Sequence, residues 1–431
     1  MELKLKISSD GKIRLSQLVR FTEFLFFCNP AVAAVFRTGL KLLNLASFAK
    51  ETTAILIYFL LLIACVKRPQ KYIKVDFILV LIALVTFFAV SLLIHPEYGE
   101  WYARADYGAW DFVFFPLNGL YYYLFIRLED DPQVFKRIFK MAGWAMYAYF
   151  AYQIYAALQR GFWYGVVGSD GMAEMSYSIS FGYHVLLYAL PFLYDAVREK
   201  KTTDIIGAVI GTVMVLTNGS RGPALMIFLL FIFLLLRYFK EETRASRRVL
   251  AGFTILLLIV LLLSFYDILH ALLLAVLPKL HMSSRVVTKL LEGTIASDSG
   301  RSIIWGAAEE MIRENPLGYG AMGSQHVISQ IIFAGYPHSI ILELMIDFGV
   351  IIGGLILLFL LRHAAAILLA KENGWVDLFV PTFCVACGLF ISLSYWSNRA
   401  FWACVGLGIN YYIAVRKEKR GQIANGELQN G

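Results

Sequence analysis

Three groups of polar residues interrupt long apolar runs and carry side chains that could do chemistry. In the first, Thr217-Asn218-Gly219-Ser220-Arg221-Gly222-Pro223, Asn218 and Gly219 permit a tight turn and Pro223 suits the first turn of a new helix. An arginine there lies beside the free N–H groups of the helix start, which together make a ready anion site; its alternative role is to anchor a helix end. The second group opens at Asp298-Ser299-Gly300-Arg301 and continues as a helical pattern over 302–314, with Ile303, Ala307 and Met311 apolar and Glu309, Glu310, Arg313 and Glu314 polar. Asn315-Pro316 ends that pattern, and Gly318, Gly320 and Gly323 follow; with no strand before them they form no dinucleotide fingerprint. The third is Tyr336-Pro337-His338-Ser339, where His338 opens an apolar run broken by Glu343 and Asp347. These two acids are four apart and so share a helix face, and Asp347 lies about 13 Å along the helix from His338. Ionisable groups at such depth are functional candidates; the alternative is a structural role, pairing with an arginine or capping a neighbouring helix.

The elements that must position these residues are membrane helices. Of 431 residues 59% are apolar and only 16% charged, and the mean hydropathy is +0.65, which excludes a soluble globular, disordered, collagen-like or coiled-coil chain. Apolar runs long enough to cross about 30 Å of hydrocarbon predict an all-α polytopic protein. Its twelve spans run over 21–36, 52–66, 75–94, 110–127, 141–160, 177–197, 204–217, 223–239, 249–269, 339–361, 376–395 and 400–415. With the N-terminal tail, residues 1–20, inside the cytoplasm, 27 of the 39 Lys and Arg residues fall on the inner side and the C-terminal tail, 416–431, returns there. The basic excess is therefore topology, and nucleic-acid binding is not expected. One external loop, 270–338, is far longer than the rest. Trp101, Tyr102, Tyr107, Trp110, Trp163, Tyr164 and Trp396 gather at the external ends, as an interfacial belt or as platforms for sugar rings. The five cysteines lie in apolar stretches, and the Cys384/Cys387 pair lacks the second pair or nearby histidine a metal site would need. No cleavable signal peptide and no internal repeat of the transporter kind are evident.

Taken in order on one face, SRGPALMIFLL at 220–230, GRSIIWGAAEEMIRENPLGYG at 300–320 and PHSIILELMIDFG at 337–349 resemble the O-antigen ligase and polymerase superfamily. The resemblance covers residues 205–360. It implies a GT-C-like integral membrane glycosyltransferase of the bacterial inner membrane, with its active site facing the periplasm or cell exterior. The donor would be an undecaprenyl pyrophosphate-linked glycan. Arg221 and Arg301 match arginines that bind the pyrophosphate and His338 matches an essential histidine; Ser220, Trp305, Arg313, Tyr336, Ser339 and Arg399 are candidates for further substrate contacts. The ligase pattern continues from His338 and Ser339 to Gly349, but Ile352 stands where Gly, Thr or Tyr is expected. The reading is therefore a Wzy-type polysaccharide polymerase of O-antigen, capsule or exopolysaccharide, with a chain-length regulator as a further partner. The alternatives are a ligase that delivers the glycan to lipid A core, and a transporter. No cofactor or metal is expected, because two arginines can neutralise the diphosphate.

Overall fold

The computed structural model describes residues 15–104, 108–166, 172–175, 178–218, 220–241, 301–331, 335–371 and 373–429. Its helices are α1 (Leu15–Phe27), α2 (Asn29–Lys41), α3 (Ala49–Lys67), α4 (Pro69–Tyr72), α5 (Val75–Ile94), α6 (Gly99–Tyr102), α7 (Gly119–Leu128), α8 (Pro132–Arg160), α9 (Ile179–Glu199), α10 (Thr202–Thr217) and α11 (Arg221–Glu241). They continue as α12 (Arg301–Glu314), α13 (Gly323–Ile331), α14 (Ile340–Leu368), α15 (Gly374–Ala386) and α16 (Arg399–Gln429). A two-stranded antiparallel hairpin, β1 (Trp163–Val166) and β2 (Met172–Met175), is the one addition to the all-α expectation among the described residues.

Helical segments lie over every expected span except 249–269, which falls outside the described residues together with the tail 1–14 and the first part of the long loop, 270–300. α3, α5 and α14 are each long and apolar enough to cross a membrane, and α1 with α2 forms a further candidate span bent by 82°. α10, α11 and α15 are shorter apolar helices. Large apolar side chains such as Leu93, Ile351 and Leu358 stand exposed along α5 and α14. Such faces have no place in water and mark the protein as membrane-embedded.

Three expected spans are interrupted, each for a local reason. The span at 21–36 breaks at Cys28, because Pro30 in the first turn of α2 has no N–H to continue the ladder. The bend leaves α2 and the residues just after it with exposed Val35, Leu42 and Leu43 beside Arg37 and Lys41, the composition of a segment lying along an interface. The span at 110–127 begins as a π turn at Trp110–Phe114, stops at Phe115 before Pro116, and resumes as α7. The span at 376–395 ends early: after α15 a 3-10 turn over Cys387–Phe390 gives way to a non-helical segment, 391–398.

α14 is itself broken. Gly349 sits at φ +80°, ψ +163°, a conformation open only to glycine. The break leaves carbonyls within the helix unpaired, and the segment after α12 takes them: Tyr319 N donates to Ile346 O at 2.7 Å and Gly320 N to Asp347 O at 3.0 Å, while Val350 N donates back to Pro316 O at 3.0 Å. Ser91 of α5 holds the same segment from the other side, accepting from Ala321 N at 2.8 Å. At the other end of the bundle two sets of buried charges are paired, while the buried Glu23 carboxylate has no hydrogen-bond partner. Asp195 meets Lys136 at 2.6 Å and Lys140 at 2.5 Å, and Arg127 meets Asp76 at 2.8 Å.

Candidate functional site

The start of α11 is locked to the start of α9. Asn218 accepts from Ser178 N at 3.1 Å and donates to Ser178 O at 2.7 Å, so the turn into α11 is tied at both polar ends of one side chain. Gly222 follows at a point of close approach. A Cβ there would lie 2.5 Å from the Tyr183 hydroxyl and 3.3 Å from Ser392 Oγ. The N-terminus of α11 thus abuts Tyr183 and Ser392, with Ser220 buried just before it. The Arg221 backbone is the first residue of that helix; its side chain lies outside what the structure describes.

Ser392 is the meeting point. Arg301, the first residue of α12, donates from Nη2 to Ser392 Oγ at 3.4 Å. The Ser392 carbonyl accepts from the Tyr336 hydroxyl at 2.9 Å and faces His338 Nδ1 at 3.2 Å. Tyr336 and His338 lie against one another, ring centroids 4.2 Å apart. Trp305, one turn along α12 from Arg301, donates from Nε1 to Pro337 O at 3.1 Å and fixes the chain between them. His338 has φ +57°, an uncommon conformation for a residue with a side chain. Burial pushes the His338 imidazole below its ordinary pKa; the hydrogen bond to Ser392 opposes this and the Arg301 charge adds to it. Burial thus favours the neutral imidazole. With Nδ1–H given to a carbonyl, which can only accept, Nε2 keeps its lone pair.

Glu343 and Asp347 hold the segment that carries Ser392. Glu343 accepts from Ser394 Oγ at 2.5 Å, Gln325 Nε2 at 3.3 Å and Tyr395 N at 3.2 Å. Asp347 accepts from the Tyr395 hydroxyl at 2.8 Å, Trp396 Nε1 at 2.9 Å and Ser324 N at 2.9 Å. The last bond caps the start of α13, so for Asp347 the structure realises the structural alternative. Buried acids in such a network trade the loss of water for several directed donors. Sequence reasoning placed 391–395 inside a helix and so missed Ser392. The available signal was Ser392-Leu393-Ser394-Tyr395-Trp396-Ser397-Asn398, a polar and aromatic cluster inside an apolar stretch.

The remaining candidates divide. Tyr336 and Trp305 join Arg301 and His338. Ser339 is buried at the N-cap of α14 without a capping bond from its side chain. Arg313 is exposed, twelve residues along α12 and about 18 Å from Arg301 at the helical rise, so it is not part of this cluster. Arg399 begins α16 and reaches the ring nitrogens of His184 at 2.8 and 2.6 Å, on the next residue of α9 after Tyr183. Among the described residues Arg301 and Arg399 meet no carboxylate, and none of those residues forms a group of three or more metal-binding side chains. Positive charge with no counter-ion among the described residues, beside a helix start, suits a bound anion.

No curated protein and no solved structure matches the chain. The segment 206–359, which contains Arg221, Arg301, His338 and both network acids, matches the O-antigen ligase family.

Proposed function

We propose that the protein is a membrane glycosyltransferase that moves a glycan from an undecaprenyl diphosphate carrier to an acceptor hydroxyl at the external face of the bacterial inner membrane. The observation that carries this reading is the convergence of Arg301, His338 and the α11 start on Ser392, within the family-matched segment.

A sugar on a diphosphate is already activated, so the site must mainly hold the diphosphate and orient one hydroxyl. Arg301, Arg221 and the N–H groups opening α11 would face the diphosphate oxygens. His338 Nε2 takes the proton of the acceptor hydroxyl as that oxygen bonds to the anomeric carbon. The bond from that carbon to the diphosphate oxygen breaks, its electron pair leaves with the diphosphate, and the arginines offset the new charge. One displacement inverts the anomeric centre. Tyr336 and Trp305 hold the His338 turn, while Glu343 and Asp347 hold Ser392 beneath it.

The family description favours a ligase-type acceptor such as lipid A core. Ile352, at a place where the ligase pattern has Gly, Thr or Tyr, favours a polymerase whose acceptor is a second carrier-linked glycan. Carrier-bound products of a deletion strain separate the two. Long chains that never reach the surface acceptor indicate a ligase, and single repeat units delivered to the surface indicate a polymerase. The transferase reading itself is tested with Arg301→Ala, Arg221→Ala and His338→Ala, each expected to abolish transfer while the protein inserts and accumulates normally. Full transfer in all three overturns it.

A further inference from the structure

We infer that the Tyr183 hydroxyl is a further ligand of the carrier diphosphate, donating a hydrogen bond to one of its oxygens beside the start of α11. The inference rests on the transferase reading above and adds to it a neutral donor from α9, outside the family-matched segment.

Tyr183 is 5% exposed, yet its hydroxyl has no hydrogen-bond partner. The residue is gripped between two glycines. A Cβ on Gly388, in the turn after α15, would come within 2.3 Å of the Tyr183 ring atom Cε1, and one on Gly222, in the first turn of α11, within 2.5 Å of the hydroxyl oxygen. Neither neighbour could be alanine without displacing the tyrosine, so the ring has one place to stand and its oxygen is aimed at the α11 start. Ser392 Oγ stands beside it without reaching hydrogen-bonding geometry, and already receives Arg301.

An unmatched buried hydroxyl costs stability, and phenylalanine would fill the same space without that cost. One other tyrosine among the described residues, Tyr147, is buried with its hydroxyl unpartnered. The surroundings separate the two. Tyr147 packs on the rings of Trp144 and Phe192 and against Gly211 in the middle of α10. Tyr183 instead faces a helix start, whose first N–H groups have no partner inside the helix and whose dipole is positive, next to the serine that Arg301 reaches. Amide N–H, phenol and guanidinium all donate there, and an oxygen-rich anion satisfies them together. A diphosphate supplies that chemistry; the acceptor hydroxyl, with its single oxygen, does not.

Tyr183→Phe keeps the ring between its two glycines and removes only the oxygen. Farnesyl diphosphate is titrated calorimetrically into the full chain in phosphatidylcholine nanodiscs, whose own phosphates are present in excess throughout, beside Arg301→Gln and Tyr147→Phe. Tyr183→Phe is expected to weaken binding about tenfold, the loss of one hydrogen bond to a charged group, and to raise the donor KM in transfer assays. Thermal unfolding in detergent without ligand should stay at or above the wild-type midpoint, because an unmatched hydroxyl is gone. Tyr147→Phe should bind as the wild type does. Wild-type affinity in Tyr183→Phe, with binding lost in Arg301→Gln, overturns the inference and spares the diphosphate site. A lowered midpoint in Tyr183→Phe also overturns it, since the hydroxyl then serves the fold through Ser392, and so does equal weakening in Tyr147→Phe. Wild-type affinity in Arg301→Gln counts against the diphosphate site itself.

Discussion

Asp347 offers the sharpest test of how the site is held. Its two oxygens accept from three donors, the Tyr395 hydroxyl, Trp396 Nε1 and Ser324 N, all buried. Asp347→Ala leaves all three orphaned, and a buried unmade bond costs roughly 1–3 kcal/mol. Partial relaxation keeps the total near the lower end of that sum, at about 3 kcal/mol. Asp347→Asn keeps one oxygen for Tyr395 and Trp396 but turns an amide toward the Ser324 N–H, donor against donor, for a cost of about 1–3 kcal/mol. Thermal unfolding in detergent should therefore rank wild type above Asn above Ala. Initial transfer rates should fall further than stability alone explains, because Ser392 shifts with Tyr395 and a displacement of about 1 Å can cost on the order of a hundredfold. An Ala variant with the wild-type midpoint would refute the bracing role. An Ala variant with normal stability and no transfer would move Asp347 into the chemistry instead.

Gly349→Ala forces a side chain into φ +80° and puts its Cβ 2.5 Å from Leu317 O; a loss of at least about 1–3 kcal/mol is expected in detergent unfolding, whereas Gly354→Ala, which meets nothing within 4 Å, should be neutral or slightly stabilising. The transfer rate should fall as pH drops through the lowered His338 pKa, since protonation removes the acceptor lone pair. The matching stability term has the same direction: between the folded pKa and the ordinary histidine value the unfolded chain binds the extra proton, so stability is present above that window and lost as pH falls through it. A profile flat below neutral pH refutes the base assignment. Lys140→Met leaves Asp195 with Lys136 alone and strips Asp204 of its lysine, which should cost less than the roughly 3–5 kcal/mol of a fully orphaned buried charge, read by unfolding in detergent. Transfer should proceed in excess chelator; a loss restored only by a divalent ion contradicts arginine as the sole counter-charge.

Helix positions were legible because an apolar run of membrane length is a strong local signal. Interruptions were less so. Pro30 and Pro116 carried a visible warning, while the Gly349 break depends on Leu317 and Pro316 arriving from far upstream in the chain to fill it, which no local window contains. The motif residues Arg301, Tyr336 and His338 could be singled out by type and spacing. Ser392 could not, because its value lies in its position: a backbone carbonyl and a hydroxyl brought under those three by acids on another helix. Glu343 and Asp347 were visible as anomalies, and their partners were not.

Ser392 also orders events during synthesis. The arginines and the histidine are encoded before the residue that gathers them, and the acids that anchor the 391–398 segment wait for it as well. A nascent chain made only as far as α14 still lacks the segment that joins Arg301, Tyr336 and His338. On the proposed function, a chain truncated inside α15 is expected to insert and to lack transfer activity.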